Sequence, residues 1–445
     1  MSAIQAAGTS TEQRPWELTW TPAFVAFLTY MFVIVTYKFG VATLTMAVAL
    51  ASLLVQRERV RVPKFLWLFA AWTAWAGVGY AVTAYPDQVW PNLIEQGKLL
   101  LVALVAVNAL RTTAQIRYFM LFLLLSYLLF PVRATLVNYA TGYRVFGRAL
   151  GPFIYDNPND LAAVTVLMLG PALALWATES RRNLFRWIGL ASAAPFLVTI
   201  MLTQSRGAFL ALLGMALPSG IALVRQRPRV AVGFAVLVGV ALYLAPAGLW
   251  ERLAGLRKAT SVATIGEMDP EGSARERFAL LQTAVRMIGN RPVLGVGLGA
   301  YAQANAHYSP AVGQRDTHNT YLNIAAETGL PGLVLFLGLV TSVLRGARHV
   351  RRAWPGRTEV VRWLQYGFLG YLIAGMFASF SKLTFLYIFL SLLWSASQAM
   401  QAQSSAASSS EPLPIPPDHA TTSPTDIPAE RLSTAGDDSR SPHAI

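Results

Sequence analysis

A few histidines and arginines offer the clearest chemistry in this sequence. His318 stands in a polar run, 315–320, directly before a long apolar segment. A neutral imidazole at such a boundary can accept the proton of a hydroxyl nucleophile, and nearby arginines would lower its pKa and keep it neutral. The same position also suits a histidine that only hydrogen-bonds within the fold, so both interpretations are open.

Arg206 is the second candidate. It lies in the short break Ser205-Arg206-Gly207 between two nearly continuous apolar segments. A charge at such a place in a membrane is costly and commonly serves a function. The alternative is an arginine that extends to the interface at an ordinary tight turn.

A predicted helix, 273–288, carries two further arginines. Ser273 and Glu276 have the spacing of a capping box. Arg275 and Arg277 then occupy the first turn, where cations oppose the helix dipole unless a bound anion shares the exposed N–H groups. For Arg275, a solvated position beside Glu276 is equally consistent. The predicted apolar face consists of Phe278, Leu281, Val285 and Ile288.

Other motifs indicate less. The glycine-rich stretch 295–299 is a weak phosphate signal, because no predicted strand and helix frame it. The sequence has no cysteine and no D-x-D, H-E-x-x-H or G-x-S-x-G motif. We therefore expect no metal and no other cofactor. Arg133 and Arg144, near the outer end of the fifth apolar segment, could add contacts to an anion.

Apolar helices must position these residues. Of the 445 residues, 54% are hydrophobic and 13% are charged, and the mean hydropathy is +0.45, which excludes a water-soluble enzyme. Continuous apolar runs favour helices over the alternating strands of a transmembrane barrel. The twelve predicted spans are 21–37, 39–55, 65–84, 96–110, 116–136, 160–178, 185–204, 207–224, 230–247, 321–344, 360–379 and 382–399.

Basic residues between the spans alternate by side. Half of the 36 lysines and arginines lie in one set of connections, at 57–64, 111–117, 181–186, 225–229 and 345–362. The positive-inside rule places these connections, and both termini, in the cytoplasm. The net charge of +14 is then a matter of orientation, and it does not indicate a nucleic-acid partner.

The predicted fold is an all-α polytopic membrane protein with about 12 transmembrane helices and one large periplasmic segment. Its parts are a cytoplasmic arm (1–20), helices one to nine (21–247), the periplasmic segment (248–320), helices ten to twelve (321–399) and a disordered cytoplasmic tail (400–445). The tail is rich in Ser, Pro, Ala and Thr, so it cannot bury enough apolar surface to fold alone.

Several motifs, in this order, resemble the O-antigen ligase family of the O-antigen ligase and polymerase superfamily. The motifs are DNPNDLA at 156–162, SRG at 205–207, RPVLGVG at 291–297, HNTYL at 318–322 and ETG at 327–329. The resemblance covers about 20–400 and implies a GT-C-type glycosyltransferase architecture. Where the family often has Gly-Arg-x-x-x-Trp, this chain has Ala274-Arg275 and then Arg277 with Leu281, so the motif favours Arg277 but leaves Arg275 as the alternative.

The resemblance implies an inverting, metal-independent transfer of a glycan from undecaprenyl diphosphate to lipid A-core, at the periplasmic face of the bacterial inner membrane. By motif, the catalytic residues are His318, Arg206 and Arg277. Further contacts to the diphosphate or glycan are expected from Arg275, Arg133, Arg144, Asn319, Tyr321 and Asn159. The expected partners are this donor, the lipid A-core acceptor and membrane lipids.

Two related activities and one unrelated activity are the alternatives. An O-antigen polymerase or a protein O-oligosaccharyltransferase would use the same donor with another acceptor. A transporter of lipid-linked glycans would instead carry charged or broken spans near the membrane midplane. Because the predicted spans are mostly without charge, with Glu327 the chief exception, a transferase is favoured.

Overall fold

The computed structural model describes residues 18–36, 41–55, 59–152, 155, 157–226 and 273–409, with isolated positions between 228 and 254. The contacts within the chain divide it into two compact units, Met1–Ser405 and Ala406–Ile445. Of the second unit, residues 406–409 are described, and they form the end of the last helix. The described part is helical, with one two-stranded hairpin.

Within the described residues, the first half consists of six helices and the hairpin. The helices are α1 (Pro22–Thr36), α2 (Ala42–Val55), α3 (Lys64–Tyr80), α4 (Pro86–Ala109), α5 (Thr113–Tyr127) and α6 (Arg133–Ala140). A π-helical turn at Leu128–Val132 joins α5 to α6. The antiparallel hairpin pairs β1 (Arg144–Val145) with β2 (Arg148–Ala149).

The second half contains eight helices within the described ranges. They are α7 (Pro158–Thr178), α8 (Leu184–Thr203), α9 (Arg206–Gln226), α10 (Ser273–Asn290), α11 (Tyr301–Tyr308), α12 (Thr320–Ala353), α13 (Glu359–Ala374) and α14 (Thr384–Ser409).

The chain is a multi-pass helical membrane protein, as predicted. Among the described residues, five helical stretches are long and apolar enough to cross a membrane: Pro86–Ala109, Thr113–Ala140, Pro158–Thr178, Leu184–Thr203 and Thr320–Ala353. Shorter apolar helices cover Pro22–Thr36, Ala42–Val55 and Arg206–Ile221. Eleven of the twelve predicted spans coincide with helices. The ninth, 230–247, lies outside the described residues except for isolated positions, and the twelve-span count and GT-C architecture stay predictions.

Three predicted boundaries are wrong. α4 begins at Pro86, well before 96, because a proline at the first position and Asp87 in the first turn both favour a helix start. α12 runs to Ala353, so the predicted connection at 345–352 is helical, and its last arginines suit a helix C-terminus. α14 extends to Ser409, so residues 400–409 belong to a helix and not to a disordered tail.

α7 is the central helix of the main core. It packs against α8, α9 and α13 and is buried along almost its whole length. Glycines allow α7 and α13 to approach closely, because a Cβ on Gly367 would lie 2.8 Å from the Cα of Gly170. Because α7 is apolar and buried in its middle, its polar groups lie at its two ends. Asn159 lies at its start and Glu179 lies just after its end.

A second, smaller core joins α10 and α11 to the ends of α3 and α4 and to the start of α12. Its members are Ala76, Val89, Leu280, Ala284, Met287, Val296, Leu298, Ala300, Tyr301, Ala304 and Ala326. The predicted apolar face of α10 is only partly right: Ile288 packs against this core, but Leu280, Ala284 and Met287 form its buried face and Val285 is 59% exposed. Two apolar stripes overlap on this helix, and only packing decides which one is buried.

The glycine-rich turn at 295–299 packs against a kink in α12. Its Val296 and Gly297 N–H groups donate to the carbonyls of Ala326 and Glu327, each at 2.9 Å. The kink lies at Gly329, whose φ of 72° interrupts the helix. The turn is thus a packing element, and these two N–H groups already have backbone acceptors.

Candidate functional site

His318 is held in an uncommon backbone conformation at the entrance to α12. Its φ is 52°, in the left-handed region that few residues with a Cβ adopt. Both neighbours are fixed: buried Thr317 hydrogen-bonds Ser379 Oγ at 3.0 Å, and Asn319 Oδ1 accepts two N–H groups of the first turn of α12, each at 3.0 Å. The surrounding structure therefore fixes the backbone that carries the half-buried imidazole.

The loop between α13 and α14 connects this turn to the start of α9. Asn319 Nδ2 donates to the carbonyl of Met376 at 3.1 Å. The next residue of the loop packs on α9, since a Cβ on Gly207 would lie 2.8 Å from the Cβ of Phe377. The loop thus lies between the turn at 317–319, here called the histidine turn, and Arg206, the first residue of α9.

The environment of His318 favours its neutral form. Burial lowers the pKa of His318 below its ordinary value of 6.5, and the nearby Arg277 guanidinium lowers it further. The carboxylates of Asp316 and Glu276 act in the opposite direction, while Arg315 also lowers this pKa. The imidazole is therefore neutral near pH 7 and able to accept a proton.

The first turn of α10 faces the same connection through an ion pair. The Nε of Arg315 lies 3.2 Å from Glu276 Oε1, and both side chains are exposed. Such a pair contributes little stability, but it ties the two segments together. From this turn the positive charge of Arg277 lowers the pKa of His318, whereas the Arg275 side chain is exposed. The capping box predicted for Ser273 involves a side chain outside the described part of the chain.

A hydrogen-bond network fixes the break between α8 and α9. Arg148 of β2 donates from Nε to the carbonyl of Thr203 at 2.8 Å and from Nη2 to Asn159 Oδ1 at 2.9 Å. The hydroxyl of Ser205 donates to the same Asn159 oxygen at 2.9 Å. Arg148 and Asn159 therefore hold the turn that directly precedes Arg206. Sequence reasoning missed Arg148, although it lies only four residues after Arg144, which the sequence did single out.

Three residues predicted to contact substrate have partners within the fold. Asn159 accepts the two bonds just described, and Asn319 caps α12. The hydroxyl of Tyr321 donates to the carbonyl of Leu372 on α13 at 2.8 Å. These contacts assign each residue a structural role, and a contact with substrate stays a prediction.

Arg133 and Arg144 lie on the elements between α5 and α7. Arg133 is the first residue of α6, and the Arg144 guanidinium lies 5.1 Å from the centre of the Tyr139 ring. Both side chains are exposed. Within the described residues neither contacts His318, so their part in anion binding stays a prediction.

Acidic side chains near the site are bonded to neighbouring groups. Buried Glu327 accepts the N–H of Tyr301 at 3.3 Å and an amide hydrogen of Asn323 at 3.4 Å, which pins α11 to α12. Asp316 accepts the N–H of Thr317 at 2.8 Å. In the part of the chain that the structure describes, no three or more His, Cys, Asp or Glu side chains are grouped closely enough to hold a metal ion.

The family match covers this site. Residues 188–337, from α8 into α12, match the family model described as O-antigen ligase, and this range contains Arg206, Arg277 and His318. No curated protein matches the chain. The match supports a glycosyltransferase-like function of the ligase or polymerase type, with polysaccharide or lipid-linked glycan as the general substrate class. Residues 188–337 are therefore identified as an O-antigen ligase domain.

Proposed function

We propose that the protein is an O-antigen ligase that transfers a glycan from undecaprenyl diphosphate to a sugar hydroxyl of lipid A-core, at the periplasmic face of the bacterial inner membrane. One observation carries the proposal. A half-buried histidine with a lowered pKa lies beside Arg277, at a turn that is packed through one loop to the helix start at Arg206.

In this proposal His318 is the general base. Its neutral imidazole accepts the proton of the acceptor hydroxyl while that oxygen attacks the anomeric carbon from the face opposite the diphosphate. The new C–O bond forms as the bond between the anomeric carbon and the diphosphate oxygen breaks, so the anomeric configuration inverts. Undecaprenyl diphosphate leaves with the bonding electron pair.

Arg206 and Arg277 stabilise the negative charge of the leaving group. A guanidinium presents planar, paired N–H donors that match phosphate oxygens, and such fixed donors act where charge develops in the transition state. Two guanidinium groups supply the positive charge, so the proposed transfer is metal-independent. EDTA should leave the rate of a purified reaction unchanged, and a strict requirement for a divalent cation would refute this part of the proposal.

The place of the site suits substrates anchored in a membrane. Arg206 is the first residue of α9, and His318 lies two residues before α12. Both therefore lie at the N-terminal ends of apolar helices. A lipid-linked donor and a lipid-linked acceptor held in one leaflet meet at this boundary, so restricted orientation contributes to the rate. The polyprenyl and acyl chains then stay in the bilayer during the transfer.

The test is a transfer assay with full-length protein in proteoliposomes, a lipid-diphosphate glycan as donor and lipid A-core as acceptor. His318→Ala should lower the rate by roughly 10²–10⁴, the usual contribution of a general base. His307→Ala is the matched control, because His307 is an exposed histidine in the last turn of α11.

The products separate the related activities. Glycan on lipid A-core supports the ligase, whereas lengthened lipid-linked glycan identifies a polymerase and a glycosylated peptide identifies a protein-directed transferase. A folded His318→Ala variant with the wild-type rate would exclude His318 as the base.

A further inference from the structure

A second basic site lies at the opposite end of α7 and α8. A cavity of about 700 Å³ is lined there by Glu179, Arg181, Arg186 and Arg229, among others. α7 has 21 residues, so at 1.5 Å per residue its two ends are roughly 30 Å apart. The cavity is therefore separate from the site around Arg206.

The acidic residue of the lining is neutralised by a neighbour. The carboxylate of Glu179 accepts Arg117 Nε at 2.5 Å and Arg117 Nη2 at 2.6 Å, and Asn183 Nδ2 donates to it at 2.6 Å. Because Glu179 and Arg117 cancel each other's charge, the three lining arginines leave the cavity with a net positive charge.

Arg186 is held in place before any ligand binds. Its Nη1 donates to the backbone carbonyl of Glu179 at 3.0 Å, and its guanidinium lies 5.5 Å from the centre of the Trp176 ring. A guanidinium that is already ordered loses less entropy when it binds an anion.

The start of α8 has the character of a membrane interface. Leu184 is 67% exposed and Trp187 is 52% exposed, and the Trp187 indole donates to the carbonyl of Arg181 at 3.0 Å. Exposed tryptophan beside arginine is typical of the level where lipid headgroups lie. The cavity therefore opens where phosphate groups of a bilayer would be found.

We propose that this cavity binds a phosphate group, carried by an anionic lipid headgroup or present as inorganic phosphate. Its volume falls within the range of small-molecule sites, and its three guanidinium groups match phosphate oxygens. The site is independent of the proposed transfer reaction. It lies at the end of α7 and α8 that is opposite to Arg206.

Binding is measured with the full-length protein in phosphatidylcholine nanodiscs. Phosphatidylglycerol is titrated in and the bound lipid counted by native mass spectrometry, and inorganic phosphate is measured separately by equilibrium dialysis. The test variant is Arg181→Gln with Arg229→Gln, both exposed residues of the cavity. The matched control, Arg348→Gln with Arg352→Gln, removes the same charge from exposed positions of α12.

The test variant should bind the preferred probe at least about tenfold more weakly than wild type, and the control should stay within about twofold. A loss seen with phosphatidylglycerol identifies a headgroup site, and a loss seen only with inorganic phosphate identifies a soluble anion as the ligand. Equal binding by both variants, or no binding of either probe by wild type, overturns the proposal. If the double variant melts below the control, each single substitution should still weaken binding about threefold.

Discussion

The two ends of α7 and α8 both carry arginines, but these arginines have different partners. At one end, Arg117 contacts the buried carboxylate of Glu179 at 2.5 and 2.6 Å, so opposite charges cancel. At the other end, Arg148 donates to a backbone carbonyl and to the side-chain oxygen of Asn159. These two bonds orient the guanidinium at the turn before Arg206.

The difference separates two uses of one residue type. The Arg117 pair holds the connection after α7 to the start of α5 and acts on stability. Near His318, by contrast, the positive charges of Arg277 and Arg315 lower the pKa of the histidine. An arginine at a helix end is therefore informative only when its acceptors are known.

The largest expected effect is on the reactive end. Arg277→Ala should lower the transfer rate by roughly 10²–10³, the usual cost of removing a donor that stabilises a developing charge. Arg275→Ala is the matched control, since Arg275 lies in the same turn and is exposed, and it should stay within about threefold. Initial rates in proteoliposomes measure both. A large loss in Arg275→Ala alone would assign the role to Arg275.

The next effect is on stability at the opposite end. Arg117→Ala should lower the free energy of unfolding by about 2 kcal/mol, because the buried carboxylate of Glu179 loses the guanidinium that contacts both of its oxygens. Exposed Arg182→Ala, in the turn after α7, should change it by less than about 0.5 kcal/mol. Denaturant unfolding followed by tryptophan fluorescence gives both values. If Arg117→Ala is as stable as wild type but inactive, the contrast between the two ends is wrong.

A smaller effect is expected from Arg148. Arg148→Gln should slow transfer about tenfold, because it loses charge-assisted bonds that hold the turn before Arg206. Tyr143→Phe, at an exposed position directly before the same hairpin, is the control and should stay within about twofold. The assay is the same initial-rate measurement at saturating donor. An equal loss in both variants would contradict the role assigned to the two bonds of Arg148.

The smallest effect is a shift in pH dependence. The Glu276 carboxylate raises the pKa of His318, so Glu276→Gln should lower that pKa, and the acid limb of the rate profile should move to lower pH. The variant also releases Arg315 from its ion pair, and the Arg315 charge acts in the same direction. Rates from pH 4.5 to 8 give the profile. A shift to higher pH would contradict the assigned electrostatics of this turn.

Much of the helical layout could be predicted from the sequence, because apolar length is a local property. Eleven predicted spans coincide with helices, and the helix predicted from Ser273 begins there. The errors at Pro86 and Ser409 arose where polar residues continue a helix beyond its apolar part. Hydropathy marks where a helix is apolar and does not mark where it ends.

By itself the sequence determined the membrane class, the helix positions and the candidates His318, Arg206 and Arg277, since each depends on residue type and short spacing. Tertiary structure alone decided which face of α10 is buried. It also decided that Arg277 is the arginine that lowers the pKa of His318, and that Arg148 and Asn159 hold the turn before Arg206. These outcomes depend on contacts between segments far apart in the chain. Packing brings those segments together, and no local pattern records it.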